Sequence, residues 1–437
     1  MAMNKRLRAI FFLLVSSLIC QMQSAVAEEE ARLPPSSEAG PEIAGWDAFV
    51  DGVQDLPARM LARLPDSMRD DPQIRQEVAR LALQSLAAST LDVLGSDGDH
   101  PVFLPQLGQV LNVGQPNADT VYRLARITPG GVYRLRGERG TLRMVNIGQV
   151  GPSPGEPGAS LNQPRPTTVY HDVNALRIDR HGRFDVLLSP ERPAGYRGDW
   201  WPLQPSTNKL LLRMVSSNWE RERDPAISIE RIDRPAERSR PSATALEQEL
   251  RRLPAATTFM AMIFIDHVER LRRDGFVNRL KVLDVSQIGG LVGQFYYEGA
   301  YDLSDDEALI VEATAPERCQ YRSIILTNEL YETTDWTNNH SSLNDSQAKA
   351  DKDGVLRIVV SARDPGVPNW LDTAGYRRGI VQGRWTNCDA QPVPSARVVA
   401  LADVRTALPA DTPTISPEQR QLLIRERRAA FQQRPLW

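Results

Sequence analysis

Two grammars of hydrophobic and polar residues alternate along the chain. In GWDAFVDGVQDLPARMLARL, residues 45–64, apolar positions recur three and four apart, the spacing of one helix face, with Pro57 breaking or restarting the helix. DPQIRQEVARLALQSLAASTLDVL, residues 71–94, predicts a longer helix. It carries Ile74, Val78, Leu81, Leu83 and Leu86 among good helix formers and stops before Gly95. From about residue 103 the period shortens to two. TVYRLARI, GVYRLRG, TLRMVNIGQV, ALRIDRHGRFDVLLS (with a His181-Gly182 turn), KLLLRMVSS and AISIERID follow at hairpin spacing, punctuated by Gly, Pro and Asn. Such short, evenly spaced runs predict an antiparallel sandwich or barrel rather than a parallel sheet with crossover helices. GPSPGEPGASLNQPRPTT, residues 151–168, has no period and is expected to be a surface loop.

The helical grammar returns at 243–275. TALEQELRRL is expected to stop at Pro254. The next stretch holds seven consecutive apolar residues, Phe259 to Ile265, and predicts a helix buried all round. EALIVEA, YRSIILTNEL, VLRIVVSARD, YRRGIVQGRW and ARVVALADV then predict a second set of strands. SPEQRQLLIRERRAAFQQR closes the chain as a charged helix with Ser416 as N-cap and Pro417 at its first position. The fold class expected is mainly β within an α+β chain. Its divisions are a leader and helical region at 28–102, a first β-sandwich at 103–236, a helical connector at 237–290, a second sandwich at 291–405 and a helical tail at 406–437.

The first 27 residues change the picture. Lys5, Arg6 and Arg8 precede AIFFLLVSSLIC and then Ala25-Val26-Ala27, the order of a secretory signal cleaved after Ala27. The apolar stretch falls short of the roughly 20 residues that span a bilayer. A periplasmic or secreted protein is therefore expected. Losing three basic residues moves the net charge from −3 to −6, which offers no basic footprint for nucleic acid. After cleavage only Cys319 and Cys388 remain, at the edges of two predicted strands. One disulfide between them is expected; the alternative is two buried thiols.

Catalytic signatures are scarce. The five histidines stand in no zinc spacing, and neither a nucleophile elbow nor a phosphate-cradling glycine loop occurs. No metal and no cofactor is assigned. Asp266-His267 are adjacent on a helix and so point about 100° apart, which argues against a paired acid and base. Two regions hold more polar groups than turning requires. GQPNADTVY leads Asn117, Asp119 and Tyr122 straight into a strand. DWTNNHSSLN and DPGVPNWLDTAG would bring His340, Asn344, Asn369, Trp370 and Asp372 to strand ends, with Arg384 on the next strand. Aromatics beside amides and a carboxylate are what a pocket for a polar organic ligand uses. The bland alternative is a buried tryptophan plugging a sandwich while Asn and Asp cap wide loops.

YYEGAYDLSDDEALIVEA, SSLNDSQAKADKDGVLRIVVSARDPGVPNWLDTAGYRRGIVQGRW and the tail ADVRTALPADTPTISPEQR resemble a bacterial family, domain of unknown function twelve-fourteen. GDWWPLQPSTNKLLLRMVSSNWERERDPAISIERID is similar to that family's preceding β-region, and PNADTVY to an element of a partner domain, twelve-fifty-four. The resemblance implies two jelly-roll-like sandwiches with helical decoration and supplies no settled reaction. The expected site is a cleft between or atop the sandwiches that binds a small polar or carbohydrate-like ligand. There Asp372, His340 and Asp119 are candidates for acid–base work, and Asn117, Tyr122, Asn344, Asn369, Trp370 and Arg384 for ligand binding. The rival expectation is a non-catalytic binding or scaffolding module of the envelope.

Overall fold

Runs that alternate every second residue form strands, because only a sheet places such a pattern with one face toward a core. The computed structural model describes residues 42–152, 156, 169–285 and 290–435. The expected signal peptide, the leader up to residue 41 and most of the 151–168 loop lie outside the described residues. All elements below belong to the compact unit Gly45–Trp437.

Four helices open the unit: α1 (Trp46–Val53), α2 (Leu56–Leu61), α3 (Asp66–Arg69) and α4 (Pro72–Val93). Asp71 caps α4 by accepting the Gln73 N–H at 2.8 Å, and Pro72 occupies the position where an N–H is dispensable. Helix α5 (Ala243–Arg273) lies against them. Met60, Val78 and Leu81 share one apolar cluster with Ala261 and Ile265.

Two expectations fail at α5. Pro254 does not stop it; the helix runs through with Pro254 buried, and an added Cβ on Gly52 would lie 2.5 Å from that ring. Packing of this close kind offsets the lost backbone bond. Nor is the Phe259–Ile265 run buried all round, since Ile263 is 38% exposed while Ala261 and Ile265 are covered.

The first sandwich pairs two sheets. One has the order β1 (Leu104–Pro105), β2 (Thr120–Arg126), β8 (Lys209–Val215), β4 (Met144–Val150), β5 (Val169–Asp172). The other runs β7 (Asp199–Pro202), β6 (Arg183–Ser189), β3 (Tyr133–Glu138), β9 (Ala226–Arg231). Ala125, Val145, Ile147, Leu210 and Leu212 of the first meet Tyr133, Leu135, Val186 and Leu188 of the second in one core.

The second sandwich repeats this plan. Its sheets are β10 (Lys281–Asp284), β11 (Gln294–Asp302), β17 (Arg378–Cys388), β13 (Cys319–Thr327), β14 (Ser342–Asn344), and β16 (Trp370–Asp372), β15 (Val355–Ser361), β12 (Glu307–Thr314), β18 (Ser395–Ala400). Raising every strand number of the first sandwich by nine reproduces the second, sheet for sheet. Even the exception recurs. Among the named strands pairing is antiparallel as expected, save one parallel edge pair in each half, β6 with β7 and β15 with β16. DPGVPNWLDTAG therefore does more than turn: its middle, Trp370–Asp372, is the parallel edge strand β16. The sheets stay open rather than closing into barrels. Cys319 and Cys388 face each other across β13 and β17 and are joined in a disulfide.

After the short α6 (Val404–Ala407), helix α7 (Pro417–Gln432) begins with a capping box between Ser416 and Gln419. It is not merely a charged surface helix. Arg420, Arg427 and, just beyond it, Arg434 recur at a spacing of seven and are all buried. Arg420 binds Asp364 at 2.9 Å and the carbonyl of Val367 in the second sandwich. Arg434 donates to the carbonyls of Asp119 at 2.7 Å and Met214 at 3.0 Å in the first. The tail thus straps the two halves together.

Candidate functional site between the two sandwiches

Strand parity decides what each sheet offers its neighbour. In β2 and β8, Ala125, Leu210 and Leu212 point into the first core, so Tyr122 and Arg213 point away from it. In β11 and β17, Tyr297, Val381 and Trp385 fill the second core, so Tyr296, Glu298, Gln382 and Arg384 point outward. The two outward faces meet, and polar side chains are buried where they do.

Asp119 is the centre of one cluster. It is 2% exposed and accepts from the Trp219 indole at 2.8 Å, the Asn344 amide at 2.8 Å and the Tyr321 hydroxyl at 2.5 Å. Asn117 donates to the same Tyr321 oxygen at 2.8 Å and holds Thr120 at 3.1 Å. Burial raises the Asp119 carboxyl above its ordinary value, against the pull of these donors and of Arg427. Arg427 lies over the Trp219 ring at 4.7 Å and donates to Ser342 at 2.8 Å. Burial brings its guanidinium down to about 10, which Asp119 counters.

Arg384 is the centre of the other. It is 2% exposed and donates to Gln115 Oε1 at 3.2 Å, with its guanidinium over the Tyr296 ring at 5.0 Å. Among the described residues no carboxylate lies within ion-pair distance of it, and its Nη1 has no hydrogen-bond partner. Gln115 Nε2 and, one rung along β17, Gln382 Oε1 are likewise unpartnered there. Gln382 continues the network by donating to Tyr331 at 2.7 Å and to Glu298 at 3.2 Å; Glu298 also meets His267 at 3.1 Å. Burial works to raise the Glu298 carboxyl, but His267 and Gln382 hold it below the ordinary value.

The backbone is bent to build this wall. Gln115 and Tyr331 both take left-handed conformations, φ 60 and φ 64, and the Gln115 N–H donates to the Tyr331 carbonyl at 2.9 Å. Such conformations in non-glycine residues persist only where surroundings enforce them, and they cluster at functional positions. Gly114 precedes them at φ 66, where a Cβ would lie 2.3 Å from the Phe264 ring of α5. Tyr122, Arg213 and Tyr296 keep partial exposure, so the junction is open to solvent on that side.

The expected residues therefore separate. Asn117, Asp119, Tyr122, Asn344 and Arg384 come together at this junction. His340, Asn369, Trp370 and Asp372 are engaged at the edge of the second sandwich. His340 is buried and stacks on Trp370, its Nδ1 2.5 Å from the Trp370 carbonyl; burial drives its imidazole well below the ordinary value. Trp370 packs with Val404 and Leu408, donates its indole N–H to Ser361 at 3.0 Å and lies under Arg420 at 5.1 Å. Asp372 accepts the Ala374 N–H at 2.7 Å, an ordinary turn cap. Asn369 bridges the carbonyls of Lys349 at 2.7 Å and Arg357 at 3.1 Å and lines a surface cavity of about 230 Å³.

Sequence reasoning passed over Gln115, Arg213, Tyr296, Glu298, Tyr331 and Gln382. The usable signal was polar residues at alternate positions inside otherwise apolar strands, as in QFYYEGAY and GIVQGRW. A larger depression, about 940 Å³, lies on the solvent face of β3 and β6, but its arginines are already paired: Arg134 with Asp185, Arg177 with Asp199, Arg183 with Asp179. Charges that satisfy one another have no unmet demand for a ligand, so the junction is the stronger candidate.

Among the described residues no group of three or more His, Cys, Asp or Glu side chains converges to hold a metal ion, and no helix is long and apolar enough to cross a membrane. No curated protein matches the chain. The chain is similar to an uncharacterized protein of known structure from Burkholderia cenocepacia. The two share 28% identity at a TM-score of 0.75, over 82% of this chain and 98% of that one. A structure from Vibrio parahaemolyticus matches at 13% identity and a TM-score of 0.42, over 80% of this chain and 100% of that one. Residues 301–380, which run from the end of β11 into β17 and so include the second sandwich's disulfide partner Cys319, match the family described as a protein of unknown function, DUF1214.

Proposed function

We propose that the protein binds a small organic acid in the hollow between its sandwiches, with Arg384 as the anion partner and Tyr122, Tyr296 and Gln115 as its surround. The observation that carries this reading is a buried guanidinium that has, among the described residues, no partner for its Nη1 and no carboxylate beside it. Taking such a charge out of water costs several kcal/mol unless it is paired, and a fork of N–H donors is shaped for a carboxylate. Trp370, covered by Arg420 and His340, offers no free stacking wall, which favours an acid over a sugar.

The reading is one of binding without a reaction. Burial raises the hydroxyls of Tyr122 and Tyr321, so both act as donors rather than bases near neutral pH. Asp119 is saturated by three donors. We place the protein outside the cytoplasm, in the periplasm or secreted. The basic and then apolar N-terminus supports this, as does a disulfide of the kind that persists in oxidising compartments.

The test is a thermal-shift and calorimetry panel of organic acids on the wild type and on Arg384→Met. Acids should raise the wild-type Tm and leave the variant unmoved, while the ligand-free variant melts at the same temperature or higher because a buried charge has gone. A wild type indifferent to every acid, with a variant that melts lower, would make Arg384 a structural residue and the protein a scaffolding module.

A further inference from the structure

The duplication places two equivalent rungs face to face. In the first sandwich Tyr122 of β2, Arg213 of β8 and Asn146 of β4 stand opposite one another across three strands. In the second, Tyr296 of β11, Arg384 of β17 and Ser323 of β13 do the same. The shift of nine that maps one sandwich onto the other maps β2 to β11, β8 to β17 and β4 to β13. A Tyr–Arg pair therefore occupies the same place in both halves, each on the face turned away from its own core.

The two pairs share one space. The Asn117 N–H reaches the Tyr122 hydroxyl at 3.4 Å, two residues along the chain from Gln115, whose side-chain oxygen accepts from Arg384 at 3.2 Å, and Arg213 is Tyr122's own cross-strand partner. Arg213, like Arg384, has no carboxylate within ion-pair distance among the described residues. Its Nη1 meets the Tyr170 hydroxyl at 3.2 Å, and its guanidinium lies over that ring at 5.2 Å. Beside them Tyr122 packs with Leu124, Val150 and Leu211, an apolar strip on the same outward face. Two cations, one from each sandwich, flanked by tyrosine rings and an apolar strip, make a clamp with two charged ends.

We infer that the ligand is a small dianion, a dicarboxylate with a short apolar spine, one acid group on Arg384 and the other on Arg213. This rests on the organic-acid reading above and specifies its substrate class. A single acid would leave one of the two guanidiniums unmatched, whereas a diacid satisfies both and bridges the sandwiches.

Calorimetry on the full chain with succinate, glutarate and phthalate against butyrate and benzoate tests it. The diacids should bind roughly tenfold tighter or more than the monoacids, the worth of one further charge-assisted pair. Arg213→Gln should bring diacid affinity down to the monoacid level, and Arg384→Met should abolish binding of both. Arg213→Lys, which keeps the charge but not the fork, should fall between and guards against a folding defect in the glutamine variant. Equal affinity for mono- and diacids, with Arg213→Gln silent, would overturn the two-ended clamp and leave the organic-acid reading standing. Absence of binding by any acid would overturn both.

Discussion

Replacing Asp119 tests whether the junction is held by one buried carboxylate. In Asp119→Ala the Trp219 indole loses its only acceptor among the described residues, and the Tyr321 hydroxyl keeps Asn117 as a donor but loses its carboxylate acceptor, with the Ser323 hydroxyl left beside it. Asn344 suffers less, because its amide also reaches the Ser217 carbonyl at 2.9 Å. Two buried donors deprived of this carboxylate cost up to about 1–3 kcal/mol each, so the variant should lose about 2–6 kcal/mol. Asp119→Asn keeps an oxygen for Trp219 and Asn344 and can turn its amide toward Tyr321, so its loss should be about 1–3 kcal/mol.

Urea unfolding followed by tryptophan fluorescence measures both, with Trp219 itself a reporter of the cluster. The pH dependence adds a second test. Burial raises the Asp119 carboxyl above the 3.8 of an unperturbed aspartate, so the folded chain keeps this proton to higher pH than the unfolded chain does. The folded state then binds more protons across that window, and wild-type stability falls as pH rises through it. Asparagine carries no such proton. The deficit of Asp119→Asn should therefore shrink as pH rises above the ordinary aspartate value of 3.8. An alanine variant within about 1 kcal/mol of wild type, or an asparagine deficit that widens toward neutral pH, would refute the reasoning.

Two further outcomes follow from the same contacts. Reducing Cys319–Cys388, or replacing both residues by serine, opens a loop closed over a sequence separation of 69 and should cost about 4 kcal/mol by loop entropy, read as a lower urea midpoint under reducing conditions. Arg434→Ala should cost about 3–5 kcal/mol, because it strands Asp224, now 2.7 Å from the guanidinium, and two buried carbonyls. The double variant with Asp224→Ala should lose less than the sum of the two single losses.

How much was legible follows from which residues carry period. The strands TVYRLARI, KLLLRMVSS, EALIVEA and VLRIVVSARD announce themselves because their apolar positions alternate, and the structure forms β2, β8, β12 and β15 there. Strands β5, β7, β14 and β16 are only three or four residues long, too short for any period to mark them. Pro254 misled because helix rules weigh the lost N–H and cannot weigh the contact with Gly52. The tail misled for the opposite reason: arginine usually signals a wet face, yet Arg420 and Arg427 lie on one buried side of α7 and Arg434 follows at the same spacing just beyond it. Of the site, Asn117, Asp119, Tyr122, Asn344 and Arg384 were legible as polar residues beside strands. Trp370 and Asp372 looked the same on paper. Nothing local distinguishes a side chain that caps a turn from one that lines a hollow.

The distinction comes from tertiary arrangement, and here from duplication. A lone antiparallel sandwich covers one face of each sheet and leaves the other to water, so its outward positions are free to be polar. Setting two such sandwiches against each other removes that water. The cheapest resolution would be apolar contact, as Met144, Val215, Leu291 and Tyr321 achieve over part of the junction. Instead Arg213 and Arg384 remain at equivalent rungs, and a strained Gln115 is held against one of them. Buried polar groups left incompletely matched weaken a fold. The junction therefore holds a buried guanidinium whose Nη1 is unpartnered among the described residues, at the rung where the other half carries a partly buried Arg213 held by Tyr170, and the proposed ligand is what would complete it.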